Sequence, residues 1–378
     1  MKMYFIKILK ERLSLNLSII TQKRIMNQPS FLLYGANGYT GQLIIPQAIK
    51  KGISIILGGR TESKIKPLAE QYSLPYRVFD LEDAATVQEN IKDVKVVLHC
   101  AGPFMYTAKP MMTACLEMGV HYLDITGEIA VFEMAHDFDA QAKAKGIMMM
   151  SGTGFDIVPT DCMSAFLKSE MPDATHLELA FAYKGGGISR GTAITSIESL
   201  GEEGKIRKDG VLKSVPVGHK IKEIKFGDAF RSTGVTIPWG DVSTAFYSTG
   251  IPNTEVFLGM KASQIKNIKR SQYLGWLLKL RPVKNFLIKQ IKKRPAGPNE
   301  NRRETGTAFI RGEVTNAKGE KKSAYMKTPE GYKLTAFMAL NITEKVLNDD
   351  FKIGFQTPSL AYGMDLVLEM DGTERFLE

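Results

Sequence analysis

From residue 31 to about residue 152, short apolar runs alternate with stretches whose apolar residues recur every three or four positions. The runs are FLLYGA (31–36), SIILGG (54–59), YRVFD (76–80), VKVVLHCA (94–101), HYLDIT (121–126) and IMMMSG (147–152). Between them lie helical patterns such as 40–51, where Leu43, Ile44, Ala48 and Ile49 share one side. Apolar runs without polar alternation, separated by helices, predict strands of a parallel sheet buried on both faces.

After Pro159 the rhythm changes. A helix is predicted at 159–170, followed by LELAFAYK (177–184), a glycine-rich segment, and β-type runs including EVFLGM (255–260) and TAFIRGEV (307–314). The tail from Tyr332 reads as two helices, one ending near Leu347 and one at 358–370. The expected fold class is therefore α/β, a Rossmann doubly wound parallel sheet with a second α+β domain carrying a mainly antiparallel sheet. The expected division is a leader at 1–30, the Rossmann domain at 31–170, an α+β substrate domain at 171–330, and C-terminal helices at 331–378 returning to the first domain.

Composition narrows the class. The chain has 378 residues, 44% apolar and 24% charged, as in soluble globular proteins. Cys100, Cys115 and Cys162 make neither a disulfide framework nor a metal-spaced pair. His99, His121, His136, His176 and His219 show no metal-binding spacing, so no metal is expected. A reducing cytoplasm is the expected location, and no run of about 18 apolar residues predicts a transmembrane helix. For residues 1–25 two readings stand: an extension preceding a start at Met26, or a short amphipathic or disordered leader.

The net charge of +10 is local. Between Lys261 and Arg303 thirteen Lys or Arg face one acid, Glu300, and the rest of the chain is near −2. Within this stretch YLGWLLKLRPVKNFLIKQIKKR (273–294) interleaves Trp276, Leu277, Phe286, Leu287 and Ile291 with cations, and Pro282 divides it into two short helices. One reading is peripheral contact with an anionic membrane or carrier through 261–303. The other is a surface helix packed on its own domain. No nucleic-acid motif accompanies the basic residues, so no nucleic-acid partner is expected. The assembly state, monomer or homodimer, stays open.

The chemistry concentrates at strand ends. GANGYTG places Gly35, Asn37, Gly38, Tyr39, Thr40 and Gly41 between the first strand and its helix. Glycines there permit a sharp turn, close approach to a diphosphate and tight helix packing, and the helix amino terminus attracts the anion. The second strand ends Gly58-Gly59-Arg60 rather than in an acid, with Thr61 and Ser63 after it. Arg60 and Ser63 suit a 2′-phosphate, so the expected cofactor is NADP rather than NAD. Ala101, Gly102 and Pro103, following the fourth strand, are placed to approach the nicotinamide ribose. No tyrosine has the Tyr-x-x-x-Lys spacing of short-chain dehydrogenases, which sets their chemistry aside.

GANGYTG (35–41), GGR (58–60), AGPF (101–104), HYLDITGE (121–128), GFDIVPTD (154–161), GGGISRGTAITS (185–196) and TPSLAYG (357–363) together resemble the saccharopine dehydrogenase-like oxidoreductases. The resemblance is particularly to the branch that includes trans-acting enoyl reductases. It implies an NADP-binding Rossmann domain, a second α+β domain, and action on C=C or C=N bonds.

No residue announces itself as the proton donor; His99, Asp124, Tyr183 and Lys184 are the candidates. Thr126 and Glu128 read either as substrate contacts or as the cap and first turn of the next helix. Asp156 lies in another edge loop, and Asp161 is expected to stabilise the start of its helix. GGGISRGTAITS reads as an anion nest or nicotinamide cover built on Ser189, Arg190 and Thr192, or as a hairpin loop. The leading expectation is an NADP-dependent reductase acting on an enoyl or imine group of a lipid-like or carrier-bound substrate. The rival is a non-catalytic NADP-binding protein attached to lipid surfaces. Substrate identity and reaction direction are not legible.

Overall fold

A computed structural model describes residues 30–378 apart from 229 and 274. Both readings of residues 1–25 lie outside the described residues. The first six strands are β1 (Phe31–Tyr34), β2 (Ile55–Gly59), β3 (Tyr76–Val78), β4 (Val96–His99), β5 (His121–Asp124) and β6 (Met148–Met150). They are parallel neighbours in the order β6-β5-β4-β1-β2-β3.

Strand alternation splits β1 between two cores. Phe31 and Leu33 face Ile44, Ala48 and Leu334, from helices Tyr39–Lys51 and Gly331–Leu347. Leu32 and Tyr34 face Ala108, Met111 and Cys115 of helix Phe104–Met118. Both faces of the sheet are thus covered by helices, which is why its central strands read as unbroken apolar runs.

The second sheet contains β7 (Ala174–Lys184), β8 (Gly204–Lys208), β9 (Val211–Val215), β10 (Ile221–Phe226), β11 (Phe230–Thr236), β12 (Asn253–Met260), β13 (Thr307–Asn316) and β14 (Lys321–Pro329). Its pairings are antiparallel except β7 with β12. The tail supplies one strand to each sheet. β15 (Gly354–Gln356) runs parallel beside β6, and β16 (Glu374–Leu377) closes the second sheet against β14.

Two expectations are corrected here. The tail is one long helix, two strands, the five-residue helix Pro358–Tyr362 and the 3-10 turn Leu366–Glu369, because Gly363 at φ 86 stops a helix from spanning 358–370. The helix Val158–Glu170, assigned from sequence to the first domain, buries Met163 and Leu167 against the second sheet. A Cβ on Gly312 of β13 would stand 2.4 Å from Leu167 Cδ1, so the missing side chain makes the seat for this helix. One continuous core runs from Leu33 and Leu98 through Val158 and Cys162 to Phe181 and Ile310, tying the two sheets together.

Candidate cofactor site and interdomain cleft

The glycine turn after β1 owes its shape to missing side chains. Gly35 has φ +87, and a Cβ there would stand 2.8 Å from Ala101 N, so the loop after β4 lies directly against the turn. A Cβ on Gly41 would stand 2.7 Å from Ala36 O. Gly38 is the N-cap of helix Tyr39–Lys51 and brings no capping side chain, and the helix has no acid in its first turn. Its leading amides therefore remain available to an anion, with the helix dipole in favour. This end fits a diphosphate.

At the end of β2, Arg60 is exposed and makes no hydrogen bond or ion pair among the described residues. A Cβ on Gly59 would lie 3.4 Å from Asn37 Oδ1, which places the turn's Asn37 over the strand end. Thr61 is the N-cap of helix Glu62–Tyr72 without a side-chain capping bond, and Ser63 is exposed in its first turn. A cation, two hydroxyls and a second uncapped helix end thus converge where a 2′-phosphate would be read.

The loop after β4 ends differently. Gly102-Pro103 is a cis peptide, and helix Phe104–Met118 follows at once. Its first amides are already taken: Phe104 N and Met105 N donate to the two carboxylate oxygens of Glu128 at 2.9 and 2.7 Å. Thr126 Oγ1 accepts from Glu128 N at 3.0 Å. The expected local cap of helix Ile129–Asp137 is therefore replaced by a long-range one, with Glu128 serving the neighbouring helix.

The four proton-donor candidates separate cleanly. Asp124 is 0% exposed, and its oxygens accept from Thr126 N and Gly152 N, both at 2.9 Å, Tyr122 Oη at 2.9 Å and Ser151 Oγ at 2.8 Å. Burial raises its pKa to about 6 and the four donors pull it back. His99 is also fully buried; its Nε2 meets Thr107 Oγ1 at 3.0 Å, Nδ1 has no partner, and burial lowers its pKa to about 3. These two residues brace the sheet edge from inside. Lys184 alternates onto the sheet face of Ala180 and Ala182, away from the first domain. Tyr183 alternates with Leu179 and Phe181 onto the face that meets the first domain, its ring 5.4 Å from that of Phe155.

Tyr183 does not stand alone. The residue is 43% exposed, yet desolvation of the hydroxyl end, with the nearby Asp156, Tyr332 and Glu330, holds the hydroxyl well above the ordinary tyrosine range. Asp156 comes from the loop after β6; its main-chain oxygen accepts from Trp239 Nε1 at 2.7 Å, and its Oδ2 lies 3.1 Å from where a Cβ on Gly127 would stand. Burial, with repulsion from Glu128 second, raises its carboxyl to about 7. Asp161, by contrast, accepts from Ser248 Oγ and from Ser359 N at 2.7 Å, anchoring the tail as well as its own helix.

The glycine-rich element is helix Arg190–Glu198 with its approach loop. The three amides around which an anion nest was expected, those of Ser189, Arg190 and Thr192, are already occupied. Ser189 N donates to Tyr332 Oη at 2.7 Å, Arg190 N to Ala296 O at 2.9 Å, and Thr192 N to Ser189 Oγ at 3.1 Å. Tyr332 and Glu330 escaped sequence reasoning: they sit at the start of helix Gly331–Leu347, where Glu330 accepts from Tyr332 N and Lys333 N at 2.8 and 3.1 Å. The weak signal available was a Glu before a helix-opening Gly.

The basic stretch contains helix Arg281–Ile291. Leu287, Ile288 and Ile291 pack on Ala193 and Ile197, Lys284 bonds Glu198 O, and Arg281 reaches Glu198 and Tyr106 Oη, each at 2.9 Å. Trp276 and Phe286 stay 70% and 61% exposed. No helix among the described residues is long and apolar enough to cross a membrane, and no group of three or more potential metal ligands occurs among them.

Comparison with known proteins accords with this geometry. The family model of the saccharopine dehydrogenase NADP-binding domain matches residues 31–150. The chain is 27% identical over 220 residues to a mouse saccharopine dehydrogenase-like oxidoreductase, covering 50% of this chain and 51% of the relative. It is 26% identical over 294 residues to a Caenorhabditis elegans lipid droplet localized protein, covering 68% and 67%. A trans-acting enoyl reductase of Mycobacterium ulcerans is 30% identical over 140 residues, covering 34% and 33%. The chain spans about half the length of the curated saccharopine dehydrogenase-like relatives it matches. The fold is shared with saccharopine dehydrogenase (L-Glu forming) from Saccharomyces cerevisiae, at TM-score 0.64 and 11% identity over 93% of this chain and all of that one. Residues 31–150 thus match an NADP-binding domain of the saccharopine dehydrogenase type, and the chain is similar to saccharopine dehydrogenase-like oxidoreductases.

Proposed function

We propose that the chain is an NADP-dependent reductase of an enoyl C=C or an imine C=N on a lipid-like or carrier-bound substrate. The observation that carries this reading is the packing of Tyr183 on Phe155, which brings it close to the neighbouring Asp156 at the sheet edge that also holds the glycine turn. In this reading the amides at Tyr39–Gly41 hold the diphosphate, Arg60, Thr61 and Ser63 hold the 2′-phosphate, and Ala101–Pro103 flank the nicotinamide ribose. When bound, NADPH supplies a hydride. The chain supplies the proton for the adjacent carbon or nitrogen. A carboxyl at about 7 still carries a proton near neutrality and can give it up, so Asp156 is the donor. Tyr183, neutral at that pH, orients the acceptor through its hydroxyl.

The C=C option draws on the similarity to a trans-acting enoyl reductase, the lipid option on the lipid droplet localized relative. The test is NADPH consumption with a panel of enoyl thioesters, enoyl lipids and imino acids. Asp156→Asn is expected to lower turnover by about 10²–10⁴-fold with NADPH affinity unchanged. Stoichiometric NADPH binding without oxidation by any acceptor would sink the reading.

The second reading, an NADP-binding protein held on a lipid surface, is favoured by the exposed Trp276 and Phe286 beside Lys279, Lys289, Lys292 and Lys293. Changing Lys289, Lys292 and Lys293 to Gln should weaken binding to anionic vesicles by about 1 kcal/mol per charge. In a reductase the same change raises KM for lipid-borne substrate and spares a short soluble analogue.

A further inference from the structure

The cofactor site described so far lies wholly in the first domain, yet a strap from the second domain crosses it. Ala296, Gly297 and Pro298 run from the glycine-rich element to the phosphate turn. At one end Ala296 O accepts from Arg190 N at 2.9 Å. At the other, a Cβ on Gly297 would stand 2.6 Å from ring carbons of Tyr39, so the strap lies flat on that ring. Tyr39 is the first residue of the uncapped helix, and its hydroxyl donates to Pro298 O at 2.6 Å.

Arg303 locks this contact. Its Nη1 donates to Tyr39 Oη at 3.1 Å and to Pro298 O at 2.9 Å. The guanidinium is half-buried; the Glu330 carboxylate acts on it through space, but no ion pair within 4.0 Å forms among the described residues, and Glu330 is already engaged by Tyr332 N and Lys333 N. A partly desolvated arginine usually has an anionic partner, because its charge is costly to shield from water without one. Both of its hydrogen bonds go to neutral oxygens from Nη1, and its other donors make none among the described residues. The free amides of helix Tyr39–Lys51 open beside it, at the place fitted to a diphosphate.

We infer that Arg303, carried by the second domain, completes the diphosphate site of NADP, and that the 296–303 strap closes over the bound cofactor. The inference rests on the NADP reading of the glycine turn. It also gives the basic stretch a second use: its last cation serves the cofactor, while Lys284 and Arg281 tie helix Arg281–Ile291 to Glu198 and Lys289 faces outward. Because Tyr332 packs edge-on to Tyr39 at 5.0 Å and holds Ser189 N, the strap mechanically links the phosphate turn to the Tyr183 side of the cleft.

The test titrates the full chain with NADPH, NADH and adenosine 2′-monophosphate, which has the 2′-phosphate but no diphosphate. Arg303→Gln is expected to weaken NADPH and NADH equally, by about tenfold or more, as for loss of a charge-assisted phosphate bond. Its adenosine 2′-monophosphate affinity should match the native value, which also reports that the first domain of the variant is folded. Arg303→Lys should recover part of the loss for both dinucleotides. Arg60→Gln should show the opposite pattern, weakening NADPH and adenosine 2′-monophosphate and sparing NADH. Dinucleotide affinities of Arg303→Gln within twofold of native would overturn the inference while leaving the NADP reading intact. Absence of NADPH binding by the native chain would overturn both.

Discussion

Two helices start at the carboxyl edge of the parallel sheet, Tyr39–Lys51 and Phe104–Met118, and their amino termini meet different fates. The first begins at a glycine with no capping side chain and no acid in its first turn. The second begins after a proline, and both carboxylate oxygens of Glu128 reach its amides. Identical backbone physics makes each end attractive to an anion. What distinguishes them is occupancy: one positive end is answered within the fold, by Glu128, and the other carries neither a capping side chain nor an acid in its first turn. A helix amino terminus becomes a cofactor site only where the chain withholds its own acceptors.

The largest effect expected from breaking this difference is at Gly41. Gly41→Leu puts a side chain within 2.7 and 2.8 Å of Ala36 O and Gly35 O, backbone atoms that cannot move aside without opening the turn. NADPH affinity measured by fluorescence titration should fall by about 100-fold, equivalent to about 2.7 kcal/mol. Glu128→Gln makes the second terminus resemble the first. One amide loses its acceptor, and thermal or urea unfolding should show a loss of about 1–3 kcal/mol while NADPH affinity changes less than about twofold.

These two ends also mark what a sequence discloses. GANGYTG and GGR lie in continuous stretches whose glycines have a local steric reason, so the tight turn and the exposed Arg60 beyond β2 are legible from sequence alone. The alternation of apolar runs and helices disclosed the parallel sheet for the same reason. Glu128 was legible as an acid near a helix start but not as the cap of a different helix, since Phe104 lies 24 residues away and no local pattern couples them. The cleft between the two sheets was the least legible. Asp156, Tyr183, Glu330 and Tyr332 gather there from both sheets, and only the packed core connecting those sheets brings them together. Strand β15 escaped notice because GFQ is too short for a periodicity.

The smallest effect concerns pH and sharpens the contrast between a satisfied and an unsatisfied carboxyl. Asp156 titrates at about 7 and Asp124 at about 6 in the folded chain, both above the ordinary aspartate value of 3.8. The folded state therefore binds more protons than the unfolded state between about pH 4 and pH 7, so stability is greatest at the acid end of that window and declines as pH rises through it. Asp156→Asn should remove its share of this slope, about 1 kcal/mol per pH unit, across the window and leave stability nearly flat between about pH 6 and 7, in unfolding curves at each pH. Asp124→Asn should instead destabilise at every pH, because its four donors lose matched acceptors.

The central claim is that the open terminus and Arg60 together form an NADP site. Its most direct test is a paired titration of the native chain and Arg60→Glu with NADPH and NADH. The native chain should bind NADPH at least about tenfold more tightly than NADH, and Arg60→Glu should abolish that preference while leaving NADH affinity nearly unchanged. Equal affinities for the two cofactors in the native chain, or a preference that survives in Arg60→Glu, would contradict it.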